Sequence, residues 1–175
     1  MKIVIVGCGR VGANLAVLMA RDPKQANEVI IIDQNSEAFE RLGHDPKGRI
    51  ETVTGDGTVE DVLRRAGLEG ADAFIAVSAG DNRNIMAAQI AKHTFHVPKV
   101  ICRIYDPIRQ ATYKQLGLDS ISPTVLQAKL LRDALMGTGG QSETANQAIA
   151  SGAGVPVVPL AESERARGAA STPQR

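Results

Sequence analysis

Aromatic residues are scarce in this 175-residue chain, which has no tryptophan, two tyrosines and three phenylalanines. Proteins that bind single-stranded nucleic acid stack the bases on aromatic side chains, and electrostatic binding to nucleic acid requires a basic surface. The chain has 20 basic and 19 acidic residues, so its charge favours no such surface. We therefore expect no nucleic-acid partner.

Cysteine, histidine and long apolar runs are equally sparse. Cys8 and Cys102 form no CxxC pair and have no closely spaced histidine, so both are interpreted as small buried residues. His93 and His96 lie near the end of a predicted helix, where the helix carboxyl end explains them without a metal. No apolar run is long enough to span a membrane, and the first is too short for a signal peptide. These absences predict a cytoplasmic protein without a metal site.

Strand and helix patterns alternate through most of the chain, which is typical of an α/β fold with a parallel sheet covered on both faces. We expect a doubly wound, Rossmann-type sheet of six strands in the order 3-2-1-4-5-6, forming one domain over residues 1–137. Strands are predicted at 2–6, 28–33, 50–54, 71–77, 99–104 and 119–122, and helices at 10–21, 36–42, 58–66, 82–95, 107–116 and 123–136. Residues 138–175 are rich in glycine, serine and polar amides and predict a disordered tail without a second domain.

The first strand runs into the sequence GCGRVG, in which Gly7, Gly9 and Gly12 have the spacing of a dinucleotide-binding turn. Gly7 permits a sharp turn out of the strand, and Gly9 lets the backbone approach a pyrophosphate. Gly12 lets the following helix pack close to the sheet. That helix would direct unpaired N–H groups and a partial positive charge at the phosphates.

The context of the glycine turn separates it from a chance match. An amphipathic helix follows, with Val11, Leu15, Leu18 and Met19 at helical spacing, and a second apolar strand then ends in Asp33. A carboxylate roughly 20 residues beyond the loop can accept hydrogen bonds from both ribose hydroxyls, and it would repel a 2′-phosphate. NAD(H) or another adenine nucleotide is therefore favoured over NADP.

Loops at the carboxyl ends of the later strands are expected to line the same groove. Asp56 can accept a hydrogen bond from an adenine amino group or can start the next turn, with Thr58 as a possible helix cap. Ser78 is placed where it would line the groove. Asp81, followed by Asn84, is interpreted first as the cap and first turn of a helix and second as a binding residue.

Two arginines are candidate phosphate ligands. Arg103 ends a buried strand, where a guanidinium is costly unless it is paired or faces a groove, and phosphate is a good bidentate partner. Arg10 lies inside the glycine loop, where a solvated side chain is the competing interpretation. Tyr105 and Asp106 are expected to shape the turn before a proline.

Catalytic groups are harder to find. No histidine lies in a strand-end loop, since His44 precedes an Asp-Pro pair and the other two end a helix. No second domain is predicted that could close over a substrate, so a nucleotide sensor is favoured over an enzyme. The alternatives are a small NAD-dependent oxidoreductase, or a fragment of one, and a scaffold that binds its partner through the tail.

Six segments together resemble the RCK N-terminal (TrkA-N type) domain of potassium uptake and channel regulators: KIVIVGCGRVG, IIID, TGDGT, AVSAGDNRNIMAAQIAK, VICRIYDP and LGLDSISP. The resemblance covers residues 1–136. It implies a cytosolic domain that binds NAD(H), ATP or ADP. It also implies a homodimer or a ring that opens or closes a membrane potassium-translocating subunit.

The resemblance assigns positions as well as a fold. The candidate nucleotide-binding residues are Gly7, Cys8, Gly9, Arg10, Val11, Gly12, Asp33, Gln34, Gly55, Asp56, Gly57, Thr58, Ser78, Ala79, Asp81, Asn84 and Arg103. The final helix resembles the family's pairing segment and carries Val125, Leu126, Leu130, Leu131 and Leu135, for which core packing on the sheet is the alternative. Thr124 stands where many members have an acid, and the tail stands where they have a regulatory lobe.

Overall fold

The computed structural model describes residues 1–43 and 48–137. Within these ranges, six strands pair in parallel in the order β3-β2-β1-β4-β5-β6. They are β1 Lys2–Val6, β2 Glu28–Asp33, β3 Ile50–Thr54, β4 Ala73–Ala76, β5 Lys99–Arg103 and β6 Asp119–Ile121. The predicted doubly wound sheet and its strand order are confirmed. The predicted tail and His44 lie outside the described residues.

Helices connect the strands at close to the predicted positions. They are α1 Arg10–Arg21, a 3₁₀ helix Ser36–Leu42, α2 Glu60–Arg65, α3 Asp81–His93, α4 Pro107–Gln115 and α5 Pro123–Leu135. The largest differences are of two residues: β4 and α2 each begin two residues after the predicted start, and α3 ends two residues before the predicted end. No helix in the two described ranges combines the length and the apolar character needed to cross a bilayer.

The central strand β1 is buried on both faces, which explains its uninterrupted apolar sequence. Ile3 and Ile5 point into a core shared with α1 and the 3₁₀ helix. Val4 and Val6 point into the opposite core, which contains Phe74 and the buried residues of α2 and α3. Both cores therefore hold the carboxyl end of β1 in a fixed place, directly before the glycine turn.

Helix α1 packs on the sheet through small residues. Its buried side is formed by Gly12, Ala13, Ala16, Val17 and Ala20. The predicted apolar side is wrong in part, since Val11 is 51% exposed and Leu18 is 42% exposed, while Leu15 and Met19 are only partly buried. Gly12, where a Cβ would lie 1.8 Å from the Gly7 carbonyl oxygen, brings the helix close to the turn, and the buried side consists of small residues with Val17 as the largest.

Helix α5 has no buried residue. Its apolar side chains Val125, Leu126, Leu130, Leu131 and Leu135 are between 49% and 87% exposed. Core packing of these residues on the sheet, the alternative left open by the sequence, is therefore wrong for the described part of the chain. The helix begins at a proline behind Ser122, whose hydroxyl accepts a hydrogen bond from the Val125 amide.

Candidate functional site

A groove of about 510 Å³ opens over the carboxyl ends of the central strands. This is the edge of a doubly wound sheet at which ligands bind. Its lining residues are Val6, Gly7, Gly9, Arg10, Val11, Ile32, Asp33, Gln34, Gly55, Asp56, Gly57, Thr58, Val77, Ser78, Ala79, Arg83, Arg103 and Tyr105. Thirteen of the seventeen candidate residues are in this set. The exceptions are Cys8, Gly12, Asp81 and Asn84.

The glycine turn has the geometry that its three glycines predict. Gly7 has φ +104°, and a Cβ there would lie 2.7 Å from the backbone of Ser78. A Cβ on Gly12 would lie 1.8 Å from the Gly7 carbonyl oxygen. Gly9 differs from both, because a Cβ there would have nothing within 4 Å. The first and third glycines are thus needed by the fold, whereas the second leaves open space beside the backbone.

Gly9 is also the residue that precedes α1, and its carbonyl accepts the Ala13 amide at 2.9 Å. The first two residues of the helix, Arg10 and Val11, both line the groove. A helix start carries a partial positive charge and unpaired N–H donors. This end of the groove is suited to an anionic group such as a phosphate.

Asp33 ends β2 and joins two parts of the groove. One carboxylate oxygen accepts the Cys8 amide at 2.6 Å, and the other accepts the Asn35 amide at 2.9 Å. A carboxylate has about four acceptor positions, so each oxygen can accept one further hydrogen bond. The hydrogen bond from the Cys8 amide holds the Asp33 side chain beside the glycine turn, and both line the groove.

Asp56 follows β3 and is surrounded by donors. One oxygen accepts the amide and the hydroxyl of Thr58 at 2.9 and 2.8 Å. The other accepts Gln34 Nε2 at 2.6 Å and an Arg83 amino group at 2.9 Å. Burial alone would raise the pKa of Asp56, but the hydrogen bonds from Thr58 and the contact with Arg83 hold that pKa below its usual range.

Of the interpretations left open for the loop after β3, the helix cap at Thr58 is wrong. Helix α2 begins at Glu60, the capping position is Val59, and no side chain caps it. The Thr58 hydroxyl instead donates to Asp56, so the carboxylate organises the turn that precedes the helix. A short polar residue often bonds to its own following backbone in this way, and such turns compete with helix capping.

A buried amide ties β4 to β5. Asn84 is fully buried, and its Nδ2 donates to the carbonyls of Ser78 and Arg103, both at 3.0 Å. Its Oδ1 accepts the Ser78 hydroxyl at 2.8 Å. Asn84 therefore positions two lining residues without lining the groove itself, and it lies in the first turn of α3, the first of the two interpretations that the sequence allowed.

Arg103 presents its guanidinium to the groove from the end of β5. One amino group donates to the Ser78 carbonyl at 2.8 Å, and the guanidinium lies 4.5 Å from the ring centre of Tyr105. Its Nε is buried and has no hydrogen-bond partner among the described residues. A cation held by one carbonyl and one ring retains donors for an anion.

The sequence suggested that Asp81 caps α3, but it does not. Asp81 is the first residue of the helix, and Gly80 occupies the capping position. Its carboxylate accepts the amides of Tyr105 and Asp106 at 2.9 and 3.2 Å. Asp106 in turn caps α4, which confirms its predicted place in the turn before Pro107. Asp81 thus supports the loop after β5 from outside the groove.

The two cysteines are buried, as expected. The Cys8 thiol donates to the Ala38 carbonyl at 3.2 Å. Burial, together with a smaller effect of the nearby Asp33 carboxylate and against an opposing effect of Arg41, raises the pKa of the Cys8 thiol to about 12. Burial, with a smaller effect of Asp81, raises the pKa of Cys102 to about 11. Only the Cys8 backbone amide, bonded to Asp33, contributes to the site.

Two residues with polar or charged side chains line the groove but were not among the predicted site residues. Arg83 was not predicted at all, and Tyr105 was expected only to shape a turn. Arg83 lies on α3 and reaches the loop after β3, a contact between residues 27 positions apart. An arginine in the first turn of a helix does not by itself indicate a binding residue, so the sequence offered no reason to select Arg83. The remaining missed residues, Val6, Ile32 and Val77, are apolar strand ends that line the groove floor.

Comparison with known proteins supplies an independent view of the chain. Residues 3–123 match the model of the TrkA-N domain. A Trk system potassium uptake protein TrkA from Streptomyces coelicolor is 46% identical over 136 residues, which cover 78% of this chain and 57% of that protein. The chain thus spans little more than half the length of this relative.

Two solved structures have the same fold. The GsuK channel bound to NAD superimposes with a TM-score of 0.62 at 26% identity, covering 77% of this chain and 23% of the channel chain. GsuK bound to ADP gives a TM-score of 0.62 at 26% identity, covering 77% of this chain and 33% of the other.

Proposed function

The chain belongs to the TrkA-N domain family, and on this basis we propose that it is a nucleotide-sensing regulatory subunit of a potassium transporter or channel. The observation that supports this most is the groove, in which the glycine turn, Asp33 and Arg103 meet at one sheet edge. It offers a phosphate position, a ribose position and a nearby cation in the order that an adenine nucleotide requires.

The ligand we propose is NAD(H), ATP or ADP. All of these carry the adenosine diphosphate part that the glycine turn and Asp33 can hold. Proteins of the same fold support adenine nucleotides as the ligand class, since the GsuK channel is bound to NAD in one structure and GsuK is bound to ADP in another. We propose binding rather than turnover, because the groove lining in the described ranges has no histidine or cysteine and the four acceptor positions of Asp56 are already occupied.

Sensing requires that the bound nucleotide alter an assembly. We propose that two copies pair through α5, whose apolar side chains have no buried position in the described part of the chain. A row of exposed apolar side chains of this kind marks an interaction surface. Two nucleotides with different affinity for two geometries of the pair would shift the balance between them. The pair would act on its potassium-translocating partner from the cytoplasmic side of the membrane.

Calorimetric titration with NAD, NADH, ATP and ADP tests the site. The unchanged protein should bind at least one of them with one ligand per chain. Asp33→Ala should weaken binding by removing the ribose acceptor, and Gly9→Val should abolish it by filling the phosphate space. Undiminished binding in both variants would contradict the site assignment.

Potassium uptake by cells tests the regulatory role. Cells that lack this chain should regain regulated uptake when the unchanged protein is restored, and not with Asp33→Ala produced at the same level. Equal uptake with both proteins would contradict nucleotide control, even where calorimetry shows that nucleotide binds.

A further inference from the structure

Asp56 has no acceptor position left for a ligand. Its two oxygens already accept four donors, two from Thr58, one from Gln34 and one from Arg83. Four is about the full capacity of a carboxylate. A base amino group could bind Asp56 only by displacing one of these donors, so the ligand would exchange one hydrogen bond of Asp56 for another and gain little.

Arg83 is in the opposite situation. Its side chain is 46% exposed and lines the groove. The contact that the structure gives it within the described ranges is a single amino group on Asp56, at 2.9 Å. The plane of the guanidinium is therefore anchored at one corner and otherwise open. An anchored guanidinium loses less side-chain freedom when it meets a ligand than a free one does.

The position of Arg83 corresponds to the base end of the groove. A nucleotide with its phosphates at Gly9 and its ribose at Asp33 directs its base past Asp33. The next residue is Gln34, which contacts Asp56, and Asp56 contacts Arg83. Planar guanidinium groups stack on the faces of nucleobases.

Resting on the nucleotide-binding function proposed above, we propose that Arg83 holds the base by stacking and that Asp56 is the positioning residue for Arg83. The base is then recognised by the area of its ring and not by its exocyclic amino group. The site should accept any purine diphosphate of similar shape. It should bind a pyrimidine less well, because a smaller ring stacks less.

Three diphosphates separate this proposal from a hydrogen bond between Asp56 and the base. IDP carries a carbonyl oxygen where ADP carries its amino group, and UDP carries a smaller ring. The unchanged protein should bind ADP and IDP within about threefold of each other and UDP more weakly. Arg83→Ala should weaken ADP and IDP alike, by at least about fivefold, since a stacked base contributes roughly 1–3 kcal/mol. UDP should be affected less.

Four more variants test the need for a planar cation at Arg83 and the positioning role of Asp56. Arg83→Lys keeps the charge but loses the plane, so it should resemble Arg83→Ala. Asp56→Asn should weaken ADP in the unchanged background and have little further effect when Arg83 is already alanine, because it acts through that residue. Arg65→Ala is the matched control, since it removes an exposed arginine of α2 that does not line the groove.

Four results would overturn the proposal. One is equal affinity of Arg83→Ala and the unchanged protein for ADP. The second is full recovery of affinity in Arg83→Lys. The third is a preference for ADP over IDP of tenfold or more that Asp56→Asn abolishes, which would assign the amino group to Asp56. Failure of the unchanged protein to bind any nucleotide would overturn the proposed function and this inference with it.

Discussion

Replacing Gly9 with alanine separates the fold from the site more cleanly than any other change in the glycine turn. A methyl group at Gly9 would meet nothing within 4 Å, and the residue has φ −73°, which alanine adopts freely. Alanine is a poorer residue than glycine before a helix, by about 0.5 kcal/mol. Alanine also lowers the conformational entropy of the unfolded chain, which stabilises the folded protein by about 0.4–1 kcal/mol. The free energy of unfolding should therefore change by less than about 0.5 kcal/mol.

Nucleotide binding should respond very differently to Gly9→Ala. The methyl group would occupy the space through which a phosphate approaches the start of α1. Loss of one hydrogen bond to a charged group costs about 1.5–3 kcal/mol, which is roughly a 10-fold to 100-fold loss of affinity. Calorimetry with ADP measures this loss, and urea unfolding measures the stability.

Gly12→Ala is the matched control for Gly9→Ala. Its methyl group would lie 1.8 Å from the Gly7 carbonyl oxygen, so the helix or the turn must move. We expect it to lower the free energy of unfolding by about 3 kcal/mol, in the upper range for overpacking. If Gly9→Ala binds ADP as tightly as the unchanged protein, the phosphates do not lie against Gly9 and the reasoning is refuted.

Three further predictions concern the support of the site and the assembly. Asn84→Ala should lower the free energy of unfolding by about 2–4 kcal/mol, because it leaves buried partners unpaired; urea unfolding measures this. Cys8 and Cys102 should not react with Ellman's reagent at pH 8 until urea is added. Since unfolded thiols ionise near pH 8.5 but the buried ones only near pH 12 and 11, the free energy of unfolding should fall as the pH rises above about 9. Leu130→Asp with Leu131→Asp should change stability little, as these side chains are 51% and 66% exposed, while light scattering should show monomers in place of pairs.

Each of these predictions has an opposing result. An Asn84→Ala variant as stable as the unchanged protein would mean that the β4 and β5 ends hold together without the amide. Rapid reaction of either thiol in the native protein would contradict its burial. An unchanged mass in the double aspartate variant would place the pairing surface away from α5.

The fold was predictable because its signals are local and repeated. Alternation of apolar strands with helices, and the glycine turn before α1, led to the sheet order without long-range information. The side of α1 that is buried was not predictable from the size of its residues. Gly12 brings the helix so close to the sheet that Ala13, Ala16 and Ala20 fill the gap, and the larger Leu18 remains exposed.

The site was predictable where a residue type follows directly from a strand end. The glycines, Asp33 and Arg103 are such cases, and the structure places all of them at one groove except Gly12, which supports it from behind. Arg83 was missed because its importance depends on a contact with Asp56 across the groove. The interpretation of the loop with Asp56 and Thr58 stayed open because the same residue types serve a turn or a helix cap, and the contacts between Asp56 and Thr58 decide between them.

Native mass spectrometry of the purified protein tests the central claim most directly. Each chain should carry one adenine nucleotide, or take one up from an excess of ADP, ATP, NAD or NADH, and the Gly9→Val variant should not. A chain that stays bare with every one of these ligands, at concentrations that load a known Rossmann protein in the same experiment, would contradict it.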